Sequence, residues 1–401
     1  MPEIMPALAI SAFTATSALG RGLAAHADAL IAMRGGLEPN RISSRPLDCW
    51  VGRVDALESE PLPEPLAGWE SRNNRLAWTG LNQDGFVAAA NAASTRYGAR
   101  RIAVLMGTST GSIATTEAGY RDLDDDGRLP PQARRPAIHC LHSLGGFVRE
   151  ALDLHGPCMT VSTACSSSAK VFAMASRLIA TGWADAAVVG GVDTLCDSVL
   201  FGFNALELVS AAPCRPFDVA RDGISIGEAA GFALLERAEQ APDAPRLAGY
   251  GESSDAYHMS TPHPQGAGAE LAMREALARA GITAGQVGYI NLHGTATRKN
   301  DEVEAALVAR LFPAHVRVSS TKGYTGHTLG AAGVLEAAIA LLALDHGIVP
   351  GTLGCSRPEP ACAQQLALQS SRAGIDVALS NSFGFGGNNA CLAFVRAGAC
   401  T

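Results

Sequence analysis

Short runs of β-branched and aliphatic residues alternate along the chain with longer stretches in which alanine, leucine and valine recur at helical spacing. Residues 102–106 run into Gly107-Thr-Ser-Thr-Gly111, residues 186–189 run into Gly190-Gly191, and residues 159–163 give way to small residues that open a helix. Helical patterns cover 82–97, 166–181, 267–280, 301–312 and 330–344, each stopped near glycine or proline. Strand, turn and helix repeated in this way predict α/β layering rather than a β-sandwich. The rhythm breaks over 241–248, where two prolines fall close together, and this divides the chain into a first half, 1–245, and a second half, 246–401.

Three strand patterns of the second half end in polar turns. Residues 287–292 lead to His293-Gly-Thr295, residues 316–321 to Lys322-Gly-Tyr-Thr-Gly-His327, and residues 377–379 to Asn381-Ser-Phe-Gly-Phe-Gly-Gly-Asn388. In open α/β sheets sites are built at the carboxyl ends of strands, so these turns form the candidate functional edge. Residues 119–135, rich in Asp, Arg and Pro, read as an exposed and mobile loop.

Composition narrows the function. With 401 residues, 47% of them hydrophobic and 17% charged, the chain can bury a core spanning two large lobes. A formal charge of −7 without any block of Lys and Arg argues against a nucleic-acid partner, because the attraction to phosphates has no source. The first residues carry no cationic segment, and the apolar run after them is broken at Thr14, Thr16 and Ser17, so no signal peptide is expected. No run is expected to reach bilayer-spanning length, even residues 334–344 being interrupted by Glu336, so no membrane insertion is expected either. Ten cysteines without a C-x-x-C pair predict a reduced, soluble, cytoplasmic protein, and no Cys/His spacing predicts a metal. Asp122, Asp124, Asp126 and Gly127 mimic the start of a calcium loop, but its twelfth position is Ala133 rather than Glu, so the segment reads as a solvated acidic loop.

Cys165 carries the sharpest chemistry. It stands where an apolar run meets a helix start, and unpaired amides and the helix dipole there are expected to lower the thiol pKa. The same amides can hold an oxyanion. Five motifs then occur in order: Thr163-Ala-Cys165-Ser-Ser; Arg215-Pro-Phe-Asp-Val-Ala-Arg-Asp-Gly-Ile-Ser-Ile-Gly-Glu228; His293-Gly-Thr-Ala-Thr297 with Asp301; Lys322-Gly-Tyr-Thr-Gly-His-Thr-Leu-Gly-Ala-Ala-Gly333 with Glu336; and Asn381-Ser-Phe-Gly-Phe-Gly-Gly387. Each is weak alone. Together they resemble the elongating β-ketoacyl carrier-protein synthases of the thiolase superfamily over nearly the whole length.

The resemblance implies a five-layered α/β/α/β/α thiolase-like fold of two pseudo-symmetric halves, with Cys165 in the first and both histidines in the second. It implies a decarboxylative Claisen condensation without a cofactor, and each residue type answers a need of that reaction. Cys165 would accept the acyl group, and the Cys165 and Phe385 amides would hold the tetrahedral oxyanion. Neutral His293 and His327 would bind the enolate oxygen without protonating the carbanion. Lys322, paired with Glu336, would orient the site electrostatically. Thr295 and Thr297 would bond the pantetheine arm, Phe385 and Phe383 would border the acyl pocket, and Asp301 would be structural. The implied partner is acyl carrier protein, acyl- or malonyl-loaded, docked on Arg72 and Arg75. A dimer is also implied, with Thr110 near the acyl pocket across its interface and either a second copy or a chain-length factor as the other subunit.

Some residues depart from the family pattern. Asn388 stands where Thr is usual, Arg298-Lys-Asn300 is more polar than usual, Leu206-Glu-Leu208 replaces smaller residues, and the stretch from Ser210 to Arg215 is short. None removes a reacting group, but they leave two pathways open: fatty-acid elongation and a specialised aryl-polyene or polyketide pigment ketosynthase. A thiolase would carry a second Cys where Phe385 stands, and an initiating synthase would carry Asn in place of His327. A non-catalytic chain-length partner would lack Cys165.

Overall fold

The computed structural model describes residues 4–399; Cys400 lies outside the described residues. Ten strands form one hydrogen-bonded path: β1 (Leu8–Ser17), β2 (Ile102–Gly107), β3 (Cys158–Val161), β4 (Ala186–Asp193), β5 (Ala229–Arg237), β6 (Arg246–Ser254), β7 (Tyr289–Asn291), β8 (Arg317–Ser319), β9 (Val377–Gly384) and β10 (Asn388–Val395). Their spatial order is β8-β7-β9-β10-β6-β1-β5-β4-β2-β3. Read outward in, the first five strands run β3-β2-β4-β5-β1 and the last five run β8-β7-β9-β10-β6, the same order twice. The pairing senses repeat as well: the outer three strands of each set are parallel and the inner two join antiparallel. The sets meet where β1 pairs with β6 at Leu8↔Leu247 and Ala9↔Arg246.

Seven helices complete the layers: α1 (Arg72–Leu81), α2 (Phe86–Tyr97), α3 (Ser143–Ala151), α4 (Ser167–Ala180), α5 (Ala267–Ala280), α6 (Arg298–Leu311) and α7 (Ala332–His346). The first three cover the outer face of the first sheet, burying Leu76, Phe86 and Phe147 against Met106, Val188 and Phe232. Helices α5 and α6 cover the outer face of the second sheet through Ala272, Met273, Leu307 and Val308. Between the sheets lie α4 and α7, in a shared core of Phe172, Val334, Leu341, Tyr289 and Phe394. The five layers are thus helix, sheet, helix, sheet, helix.

The buried middle layer explains the composition of its helices. Every residue of α7 from Ala332 to Leu344 is buried, so its sequence is apolar all round rather than striped. Leu329–His346 is 18 residues long with mean hydropathy 1.5, enough by length and composition to cross a membrane, but 89% of it is buried inside the fold. The expectation that no run reaches that length is corrected: Glu336 interrupts the apolar pattern, yet it is neutralised inside the fold by Lys322. The helix patterns at 82–97 and 301–312 also shift at their starts. The first helix begins only at Phe86, because Gly85 takes a left-handed φ of 71°. The second begins at Arg298, after Thr297.

Residues 121–128 are exposed, and Asp124 accepts hydrogen bonds from the N–H groups of Asp126 (3.1 Å) and Arg128 (2.8 Å). The acidic segment therefore uses one of its carboxylates to close its own turn.

The middle helices cross closely because small residues face each other there. A Cβ on Gly333 would meet the backbone N of Ala169 at 2.5 Å, so any side chain forces α4 and α7 apart. Gly333→Ala is expected to destabilise the fold by about 1–3 kcal/mol through overpacking. A urea unfolding midpoint equal to that of the parent protein would contradict this account of the middle layer.

Candidate active site

Each functional side chain leaves the carboxyl end of a strand. Cys165 lies between β3 and α4, His293 follows β7, Lys322 and His327 follow β8, and Phe385 follows β9. The turn at Cys165 is sharp: Ala164 sits at a φ of 53°, a left-handed conformation unusual for a residue with a Cβ. The serines after the nucleophile stitch it in place. Ser166 Oγ donates to Thr163 O (2.9 Å), Ser167 Oγ donates to Ala164 O (2.6 Å), and Ser167 Oγ accepts from Thr163 N (2.9 Å).

The two halves meet at the sulfur. Cys165 Sγ lies 2.9 Å from His327 Nε2, and the His293 and His327 rings stand edge to face with centroids 5.3 Å apart. The reactive atoms of Cys165, His293 and His327 all fall within 4.8 Å of one another. His327 is held from the first half: its N–H donates to Ser225 O (2.7 Å) and its carbonyl accepts from Gly227 N (3.0 Å). This gives the Arg215 to Glu228 motif a physical role. A Cβ on Gly227 would meet Thr325 O at 2.0 Å, so only glycine permits the approach.

His293 is set by a buried ion pair. Lys322, 1% exposed, pairs with Glu336 of α7, and its Nζ also donates to His293 O at 2.5 Å and faces His293 Nδ1 at 3.5 Å. An ammonium offers only donors, so Nδ1 presents its lone pair and Nε2 carries the ring proton. His327 differs, because its Nδ1 has no hydrogen-bond partner among the described residues. Nothing fixes its tautomer.

Burial dominates the electrostatics. Both histidines are held well below the usual imidazole range, first by desolvation and then by the Lys322 charge, so both are neutral. The Cys165 thiol is pushed up to about 11 by burial, which outweighs the opposing pull of Lys322 and of the Phe385 and Cys165 backbone N–H groups. The expected lowering by the helix terminus is therefore corrected: the sulfur is too deep for it to win. Glu336 is likewise raised to about 7 by burial, against the effect of Lys322.

A cavity of about 400 Å³ opens from Cys165, His293 and His327 to the surface. Thr295, Thr297, Phe383, Phe385 and Leu206 line it, with Arg298, Lys299 and Asn300 also on its wall. The Thr295 and Thr297 hydroxyls are 2.9 Å apart. Phe383 packs against His293 with centroids 5.9 Å apart, and Phe385 against Phe203 at 5.5 Å. A Cβ on Gly384 would approach Cys165 N to 3.1 Å, so the glycine allows the Phe385 turn to lie over the nucleophile.

Arg72, Arg75 and Thr110 make their contacts away from the cavity of their own chain. Arg72 and Arg75 are engaged inside the fold. Arg72 is bound by Glu58, by Val54 O and by Glu228, whose carboxylate is fully buried, and Arg75 is bound by Glu70 and by the carbonyls of Leu57 and Glu58. A carrier docking on this pair would have to compete with those carboxylates. Thr110 does not line the cavity of its own chain. Its hydroxyl donates to Asp193 at 2.6 Å, because that buried carboxylate at the end of β4 also gathers Thr108 and Ser109.

Glu304 and Asn381 were missed in the sequence. Glu304 accepts the N–H groups of His293 (2.9 Å) and Gly294 (2.8 Å) and the amide of Asn381 (3.1 Å), fixing the histidine turn from behind. Burial raises it to about 7 against those bonds. Its spacing from Asp301 on one helix face was the available signal. Asp301 accepts from Phe217 N (2.8 Å) and Ala296 N (3.2 Å) and so joins the second motif to the third.

A buried thiol beside two neutral imidazoles, at the meeting of two repeated α/β halves, defines a thiolase-like acyltransferase site. Comparison with known proteins sharpens this. The β-ketoacyl synthase N-terminal domain model matches residues 75–241 and the C-terminal domain model residues 245–356. The 3-oxoacyl-[acyl-carrier-protein] synthase 2 of Rhizobium meliloti is 40% identical over 311 residues, 73% of this chain and 73% of that one. Its Vibrio cholerae counterpart is 35% identical over 316 residues, 74% and 76%. A chain of the solved complex of the ketosynthase ApeO with its chain length factor ApeC, from Xenorhabdus doucetiae, matches with a TM-score of 0.88 at 38% identity over 98% of both chains. The chain belongs to the β-ketoacyl synthase family, and it is an acyltransferase that forms carbon–carbon bonds.

A thiol held near 11 is protonated at neutral pH in the resting enzyme. Alkylation of Cys165 by iodoacetamide is therefore expected to rise about tenfold per pH unit from pH 7 to pH 10, following the thiolate fraction. Peptide mass spectrometry reads it, and a rate that levels off by pH 8 would refute the burial argument.

Proposed function

We propose that the enzyme elongates acyl chains carried as thioesters on acyl carrier protein, with Cys165 as the acyl acceptor. The single observation that carries this is the 2.9 Å contact between Cys165 Sγ and His327 Nε2 in a cavity of about 400 Å³ that also holds Thr295 and Thr297. In the first half-reaction the sulfur bonds to the acyl carbon, His327 takes the thiol proton and passes it to the departing carrier thiolate, and the carbonyl oxygen rests on the Cys165 and Phe385 N–H groups. His327 can serve as the base because it is neutral and its tautomer is not locked.

In the second half-reaction the malonyl thioester loses carbon dioxide, and the electron pair of the broken bond forms an enolate. Its oxygen is held by Nε2–H of His293 and by His327. The carbanion attacks the Cys165-bound acyl carbon, and the thiolate leaves and recovers a proton from solvent. Neutral imidazoles suit this step, since an acidic imidazolium would quench the carbanion. Lys322 holds His293 in the required tautomer, and Thr295 and Thr297 offer hydroxyls to the polar arm of the substrate. The Cys165 and His pair place the chain among active synthases rather than among non-catalytic length-setting partners.

A second reading concerns the pathway. Near-complete coverage of a chain from a ketosynthase and chain-length-factor complex favours a specialised polyketide-type synthase, acting as one subunit of a heterodimer, over a fatty-acid enzyme acting as a homodimer. The cytoplasm is the proposed location, in keeping with the free cysteines.

Incubation with an acyl-carrier thioester is expected to leave acyl mass on the Cys165 peptide, and Cys165→Ala to abolish both the adduct and carbon–carbon bond formation. His293→Ala is expected to slow malonyl decarboxylation by about 10²- to 10³-fold, the usual cost of one oxyanion donor. A wild-type enzyme that neither gains acyl mass nor decarboxylates malonyl carrier would sink the proposal, and a panel of acyl carriers scored by product mass decides between the pathways.

A further inference from the structure

Asn388 follows directly on the turn that carries Phe385, and its side chain is engaged through its oxygen. Oδ1 accepts a hydrogen bond from Lys170 Nζ at 3.3 Å. Nδ2 lies beneath Gly386, where a Cβ on that glycine would meet it at 3.2 Å. Lys170 is half-buried on α4, the helix that begins just after Cys165.

The turn needs such a support. Gly386 and Gly387 take φ values of 76° and 74°, a left-handed conformation that only glycine adopts freely, so the turn itself is conformationally permissive. Their other bonds come from the far side: Gly386 N–H donates to Met259 O (2.7 Å), and Gly387 O accepts from Asp255 N (3.0 Å) and Asn389 Nδ2 (3.1 Å). These bonds fix the turn to the second half. The Lys170 to Asn388 bond ties it to the helix of the nucleophile, and an oxyanion donor works only when held accurately relative to the attacking atom.

We infer that Lys170 is a positioning residue: through Asn388 it sets the Phe385 N–H against Cys165 and so tunes acyl transfer. This rests on the proposed acyl transfer to Cys165, and it assigns a use to the asparagine that stands where threonine is usual.

The test separates the two half-reactions. Lys170→Met keeps the length of the stem and removes the donor. Transfer of the acyl group from carrier protein to Cys165, followed by intact-protein mass, is expected to slow about tenfold, while malonyl-carrier decarboxylation, which depends on the histidine pair, changes by less than about twofold. Lys170→Arg is expected to restore transfer. Asn388→Ala is expected to give the same selective loss, and the double variant to be no slower than either single one, because both break one tether. Equal losses in both half-reactions, no loss in either, or losses that add in the double variant would overturn the tether while leaving the synthase reading intact. A wild-type protein that takes up no acyl group would overturn both.

Discussion

The site depends on a neutral contact at the buried end of a cavity: a thiol from one half resting on an imidazole from the other. Taking a sulfur and two histidines out of water disfavours every charged form of the three, and the pKa directions all follow from that one cost. The resting site is therefore uncharged where bonds change. Charge appears only transiently, as an alkoxide or an enolate, and fixed donors wait at both places. A thiol made acidic in advance would have needed a water-filled or cationic pocket, in which a malonyl carbanion would be protonated before it could attack a carbonyl.

One permanent cation is nonetheless buried beside the pair, and its surroundings show how it is tolerated. Lys322 gives its donors to Glu336, the His293 carbonyl and the His293 ring, so it is compensated and at the same time acts as a clamp on that ring. Removing Glu336 alone would leave the ammonium unpaired in the core of the middle layer. Glu304 and Asp301 work on the same turn from behind through backbone N–H groups, which means that three acidic residues serve one histidine and one pair of threonines without touching the reaction. The repeated topology makes this economical, since the carboxyl ends of equivalent strands converge from opposite sides on one point.

Sequence reasoning read the layering, the strand ends and the three reacting side chains from local patterns, because each is written in a short window: a strand, a glycine turn, a polar residue. It is blind to neighbours that are remote in sequence. Arg72 looks like a free cation on a helix face, but Glu228, separated from it by 156 positions, claims its guanidinium in the fold. Thr110 belongs to a loop that Asp193, at the end of β4, collects through a carboxylate 83 positions away. The Cys165 thiol was misjudged for a related reason: a helix terminus is visible in sequence, whereas the depth of burial that overrides it is a property of both halves together. Glu304 lay within reach of local reasoning, one turn beyond Asp301, but a buried carboxylate bonded to two backbone N–H groups and a remote Asn381 amide has no motif of its own.

The same distinction bears on how this chain could differ from its relatives. Residues that touch the reacting atoms are held by several elements at once, and a change at any of them breaks the chemistry. The turn over the nucleophile is held by hydrogen bonds to glycine backbone, and the side chains of Leu206 and Arg298 line the cavity wall without reaching the reacting atoms. Divergence can therefore accumulate at Asn388, at 206–208 and at 298–300 without disturbing the sulfur or the imidazoles. Those are the positions at which the sequence departs from the family pattern, so selection for a different acyl chain would act on the walls and the gate of the cavity while its floor stays constant.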